Sequence, residues 1–180
     1  MFMNAPYSKK KFTFILGFLM TMGLSSFAED KRELITWVTK KLTPHFYGEG
    51  AFYGDFNRDG SVDVVAGPFY YHGPKFSNKH AYRPVNQYDP ENYSDNFLTF
   101  VHDFNDDDWD DILIIGWPGY KKDHEHFWYE NPKHKSELWA RHAVFEEIDN
   151  ESPAFGNLVG DDTPVLIFHV QGHLGWAAPD

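Results

Sequence analysis

Asp55-Phe56-Asn57-Arg58-Asp59-Gly60-Ser61-Val62-Asp63 decides how this chain is read, because the pattern returns as Asp103-Phe104-Asn105-Asp106-Asp107-Asp108-Trp109-Asp110-Asp111. Oxygen-bearing side chains stand at the first, third, fifth and ninth positions of both segments, and a short apolar run follows each, Val64-Val65-Ala66 or Ile112-Leu113-Ile114-Ile115. Carboxylates crowded into so short a stretch repel one another, and a hard divalent cation relieves the repulsion. Ca²⁺ suits the task, since it takes six to eight oxygens in flexible geometry at roughly 2.3–2.6 Å. Gly60 stands sixth, where a loop winding round an ion turns sharply and a residue without Cβ adopts positive φ most easily. A lone acidic segment of this kind is often a solvated turn. Its recurrence in the same surroundings favours a cation loop.

The recurrence extends beyond the loops. Trp37 stands as far ahead of Asp55 as Trp139 does of Asn157, and Glu49 and Glu151 keep a common offset in the same way. Ala51-Phe52-Tyr53-Gly54 and Pro153-Ala154-Phe155-Gly156 place a small–aromatic strand before each loop, and Phe69-Tyr70-Tyr71-His72-Gly73-Pro74 echoes Phe127-Trp128-Tyr129-Glu130-Asn131-Pro132. A period of about 50 residues, with short aromatic strands and turn residues between them, is that of a four-stranded propeller blade. The third copy of the loop, residues 157–165, is degenerate: Val159 and Val165 replace two oxygen ligands, while Asn157 and Asp161 could still hold a turn through their own backbone.

An Asp-x-Asn-x-Asp-Gly-x-x-Asp loop between an aromatic-Gly strand and an apolar strand resembles the FG-GAP/VCBS repeat, whose blades carry calcium in integrin-α-type propellers. Gly50 to Asn57, Gly67-Pro68, Trp128 to Pro132 and Glu151-Ser152-Pro153 are similar to secreted bacterial proteins built from such repeats. The resemblance runs from about Trp37 to Asp180 and implies an all-β fold, a partial β-propeller of about three blades. It also implies ligand sets: Asp55, Asn57, Asp59 and Asp63 with the Ser61 carbonyl, and Asp103, Asn105, Asp107 and Asp111 with the Trp109 carbonyl. Asp108 departs from the pattern, standing where the repeat has glycine. The resemblance specifies fold and calcium and leaves activity open, because propellers host enzymes, receptors and adhesins alike.

Lys9-Lys10-Lys11, the apolar run Phe12 to Leu24 and the small-x-small site Ser26-Phe27-Ala28 read as an export signal over residues 1–28, leaving 29–180 as the repeat region of a secreted or periplasmic protein. That run is shorter than the roughly 20 residues a membrane span requires. The formal charge is −11, and loss of the leader removes three lysines and makes the remainder more acidic still. Such a polyanion disfavours nucleic acid and anionic lipid and favours cations. Cysteine is absent, which excludes disulfides, thiolate metal sites and cysteine nucleophiles.

The patterning predicts strands and almost no helix over the mature chain. Ile112 to Ile115 reads as an inner strand buried on both faces. Glu33 to Leu42 reads as a strand in register with Leu138 to Val144, Ser77 to Ser94 as an inter-blade connection, and Tyr120 to His126 as a charged, exposed insertion. His124 and His126 then fall in solvent, while His142 and His169 read as packing residues. Trp117 and Tyr120, beside the turn Gly116-Trp117-Pro118-Gly119, are candidates for stacking on a sugar ring. No serine sits in a nucleophile elbow and no glycine-rich loop opens a helix, so no catalytic or cofactor-binding side chain is assigned.

About 50 residues per blade gives roughly three blades, against four to eight in a closed ring. The finish at Leu174-Gly175-Trp176-Ala177-Ala178-Pro179-Asp180 reads as mid-blade sequence, so a fragment of a longer propeller is expected; completion of a ring by self-association through open sheet edges is the alternative. The leading function is a secreted calcium-stabilised module that binds an unidentified protein or carbohydrate. The rivals are a carbohydrate-active lyase on the same scaffold, using a base near a bound metal, and a defective remnant.

Overall fold

The computed structural model describes residues 36–116, 126–135, 137–149, 151–158, 160 and 163–179. Met1–Thr39 and Lys40–Asp180 form separate units. The described part of the first, residues 36–39, carries no strand or helix.

The second unit is built from strands, with no helix among its described residues. Three antiparallel sheets follow one another along the chain. The first contains β1 (Ala51–Gly54), β2 (Asp63–Ala66), β3 (Phe69–Tyr71) and β4 (Lys79–Ala81) in that order. The second repeats the meander with β5 (Leu98–His102), β6 (Asp111–Ile115), β7 (His126–Glu130) and β8 (Ala140–Phe145). The third contains β9 (Ala154–Gly156), β10 (Val165–Val170) and β11 (His173–Ala177). The acidic segments connect β1 to β2 and β5 to β6, and the degenerate one connects β9 to β10. The three sequence copies therefore occupy one topological position.

Strand β6 shows why its apolar run is unbroken. Side chains alternate across a sheet, and both faces of this strand are covered. Ile112 and Ile114 join Val65, Phe56, Tyr82, Tyr129 and Trp139 in one cluster between the first and second sheets. Leu113 and Ile115 join Leu166 and Ile148 in another between the second and third, with Phe100, Trp128, Phe155 and Phe168 packed against them.

Several local expectations are corrected. Leu138 to Val144 coincides with β8, but residues 36–42 form no strand. Trp139 donates its backbone N–H to the Tyr82 carbonyl at 2.8 Å and buries its ring against Phe56, Tyr70 and Tyr82, whereas Trp37 is 86% exposed. The Ser77 to Ser94 stretch is more than a connection, because β4 lies within it and pairs with β3. Its polar composition is that of an edge strand, where charged side chains discourage pairing with other chains. His126 is buried rather than solvated; it opens β7, and its Nδ1 accepts the Gly116 N–H at 3.3 Å. His142 behaves as a packing residue, stacked on Trp128 and bonded to Glu130 at 2.9 Å. Trp117, Tyr120 and His124 lie outside the described residues.

Candidate functional site

The two complete loops share one hydrogen-bond skeleton. In the first, Asp55 at position 1 accepts the N–H of Asp59 at 3.1 Å and of Gly60 at 2.9 Å. In the second, Asp103 accepts the N–H of Asp107 at 2.9 Å and of Asp108 at 2.6 Å. The position 5 carboxylate accepts the N–H two residues on, Ser61 to Asp59 at 2.8 Å and Trp109 to Asp107 at 3.1 Å. The amide of Asn57 or Asn105 donates to that same carboxylate. Backbone torsions match as well. Arg58 and Asp106 have φ of 56° and 54°, and Gly60 and Asp108 have 81° and 68°. Asp108 thus occupies the left-handed region where glycine is least strained; the strain is on the order of 1 kcal/mol, less for Asp than for most side chains.

Position 9 anchors each loop to its sheet. Asp63 and Asp111 are fully buried at the starts of β2 and β6. Asp63 accepts the Gly73 N–H at 2.8 Å, and Asp111 accepts the Asn131 N–H at 2.7 Å. Gly73 and Asn131 are the equivalent residues of the two aromatic-Gly/Asn-Pro echoes, so the distant halves of the repeat meet here. A Cβ on Gly73 would fall 2.0 Å from the Val62 carbonyl oxygen, a close approach only glycine permits. The second Asp111 oxygen accepts the Phe104 N–H at 3.1 Å. The second Asp63 oxygen, buried, has no hydrogen-bond partner, and His72 Nδ1 stands 3.7 Å from it.

The loops are also tied to each other, in part through residues outside the two implied ligand sets. Asp110, outside both implied ligand sets, accepts the Asp55 N–H at 2.7 Å. The Asn131 side chain donates to the Phe56 carbonyl and to the Asp110 carbonyl, each at 3.0 Å. Arg58 lies over the Trp109 ring, and within the second sheet's own connections Lys133 pairs with Asp107 at 3.3 Å. These partners lie far apart in sequence, and no local motif marks them.

Burial dominates the electrostatics of position 9. It raises the Asp63 carboxyl above its ordinary range. It pushes Asp111 up to about 7, against the hydrogen bonds from Asn131 and Phe104 and with help from neighbouring Asp107 and Asp103. Asp59 moves the other way, lowered chiefly by the Ser61 N–H and the Asn57 amide. A carboxyl whose folded-state affinity for protons exceeds its unfolded one stabilises the fold when protonated and loses that contribution as pH rises through the folded value. In chelator, the melting temperature is therefore expected to be higher near pH 5 than at pH 7.5, in the window between the ordinary Asp value of about 3.9 and the raised ones. A melting temperature that climbs steadily across that window would contradict the assignment.

In the third loop, the Asn157 side chain accepts the Gly160 N–H at 2.6 Å, closing a turn, and the ninth position is buried Val165 in β10. Val159, Asp161 and Asp162 lie outside the described residues. Among the described residues, no three His, Asp or Glu side chains converge at metal-ligand spacing. The donor set nonetheless fits a hard cation: every side-chain donor at positions 1, 3, 5 and 9 is oxygen, and a carboxylate oxygen that accepts one N–H keeps a further lone pair. The buried oxygen of Asp63 that accepts no hydrogen bond fits as well.

Compared with known proteins, the chain matches no family model, no curated protein and no solved structure.

Proposed function

We propose that this chain is a secreted calcium-binding repeat module of the FG-GAP/VCBS kind, its sheets acting as blades of a β-propeller, and that it presents a surface to a protein or carbohydrate ligand. The observation that carries the calcium reading is the skeleton the two loops share, the same hairpin, matching torsions and matching N–H bonds to positions 1 and 5, together with a buried carboxylate oxygen of Asp63 that accepts no hydrogen bond. Asp55, Asn57, Asp59 and Asp63 with the Ser61 carbonyl would hold one ion; Asp103, Asn105, Asp107 and Asp111 with the Trp109 carbonyl would hold the other. A bound Ca²⁺ would supply positive charge at the hairpin ends. The protein's own contribution is positional: Gly73 and Asn131 orient the position 9 carboxylates, and Asp110 holds the two loops together.

Terbium, an oxygen-seeking cation of similar size to calcium, tests the reading, because Trp109 is itself a loop residue and can sensitise its emission. Excitation of tryptophan should produce terbium luminescence that excess Ca²⁺ displaces and Asp107→Ala weakens. Emission indifferent to both would count against the assignment.

A further inference from the structure

The two complete loops share a skeleton, but not the residue that meets their position 3 amide. His72 and Glu130 are equivalent positions of the two aromatic echoes, each one residue before the Gly73 or Asn131 whose N–H anchors position 9. In the second copy the Glu130 carboxylate bonds His142 at 2.9 Å, and among the described residues the Asn105 amide donates to Asp107 alone, at 3.2 Å. In the first copy the equivalent amide reaches two partners. Asn57 Nδ2 lies 2.9 Å from the Asp59 carboxylate and 2.8 Å from His72 Nδ1.

Donor and acceptor chemistry fixes what passes between Asn57 and His72. The Asn57 side-chain oxygen accepts the Asp59 backbone N–H at 3.0 Å, and a backbone nitrogen can only donate. The other end of the amide meets a carboxylate, which when ionised can only accept. Both contacts set the amide the same way round, so the atom facing His72 is a donor. His72 Nδ1 must accept, which makes the imidazole neutral with its proton on Nε2. An unprotonated Nδ1 offers nothing to the second Asp63 oxygen, 3.7 Å away, in agreement with that oxygen accepting no hydrogen bond. The ring is itself held in place. His72 donates its backbone N–H to the Asn78 carbonyl at 2.9 Å and its carbonyl accepts the Phe76 N–H at 2.8 Å, while the ring stands edge-on to Tyr70 and His80.

We propose that His72 is a positioning residue of the first loop: its Nδ1 and the Asp59 carboxylate each take one N–H of the Asn57 amide, and so aim the Asn57 oxygen into the loop before an ion arrives. The proposal rests on the calcium reading given above and adds to it a residue outside both ligand sets. A partner that stands behind a metal ligand and fixes its orientation is worth about 10–100-fold in affinity. Among the described residues Asn105 has no such partner, and the surplus carboxylates at 106, 108 and 110 supply attraction in its loop instead. The two loops thus reach comparable affinity by different means.

The test is calorimetric titration of the full chain with Ca²⁺, together with nitrogen-15 NMR of the His72 ring in calcium-free protein at alkaline pH. His72→Phe keeps a ring and removes the acceptor. It should weaken one of the two sites about tenfold, the same site that Asp59→Ala weakens, and leave the other as it was. His72→Asn, whose Oδ1 can stand where Nδ1 stood, should restore most of the loss, which a merely structural role for the imidazole would not allow. The wild-type ring should carry its proton on Nε2. Two undiminished sites in His72→Phe, equal weakening of both, a His72→Asn protein as weak as His72→Phe, or a wild-type ring protonated at Nδ1 would overturn the proposal and leave the calcium reading standing. A wild type that takes up no calcium would overturn both.

Discussion

Trp139→Ala is expected to lower the melting temperature by on the order of 10 °C, whereas Trp37→Ala should leave it unchanged. The indole of Trp139 is 6% exposed and meets Phe56, Tyr70 and Tyr82 at ring-centroid distances of 5.9, 5.6 and 5.6 Å. Truncating a buried tryptophan removes transfer energy and leaves a cavity, together about 3–5 kcal/mol. In a domain of this size each kcal/mol moves the midpoint by about 2–4 °C. The backbone bond from Trp139 to Tyr82 survives the substitution, so the loss is one of packing. Trp37, by contrast, is exposed in the stretch of 36–39 without strand, and surface substitutions of that kind stay within about 0.5 kcal/mol. Equal melting temperatures for the two variants would refute the placement of Trp139 in the core.

Calcium should raise the melting temperature by a comparable amount. A ligand that binds only the folded state adds about 2.7 kcal/mol per site at a concentration one hundred times its dissociation constant. Two loops together would then add about 5 kcal/mol, or roughly 10–20 °C. The physical basis is the loss of repulsion among carboxylates that folding brings together. Position 9 is where the effect concentrates, since Asp63 and Asp111 are the buried members of each set and the ones whose charge burial disfavours. Asp59→Ala and Asp107→Ala should each remove part of the gain. A melting curve indifferent to excess calcium and to chelator would sink the reading.

Much of the strand order was legible in the chain because it is written as a local repeat. The acidic loops, the aromatic strands that flank them and the apolar run of β6 carry their own periodicity, and each sits where that periodicity places it. What escaped reading depends on contacts across the repeat. Trp37 and Trp139 look equivalent in sequence, yet Trp139 is buried with Phe56, Tyr70 and Tyr82 and Trp37 is exposed. Strand β4 is short, polar and exposed, so no hydrophobic alternation announces it. His126 sits at the end of a charged stretch, and only the pairing of β7 between β6 and β8 buries it. At the candidate site the four oxygen positions of each loop were legible, since they follow from spacing. The roles of Asp110, Asn131 and Gly73 were not, because their partners lie on other hairpins.

The loops differ in ways that set an order among them. Loop one has its turn glycine. Loop two carries Asp108 there at φ 68°, but has extra acidic residues at 106, 108 and 110 that raise its negative potential. Loop three lacks two side-chain oxygens. Isothermal titration calorimetry of the chain with Ca²⁺ tests this account most directly. Two sites of comparable affinity are expected, with the third loop silent, and Asp63→Ala combined with Asp111→Ala should abolish both. Three equivalent sites, or an unchanged stoichiometry in the double variant, would show that these loops are acidic turns and not cation sites.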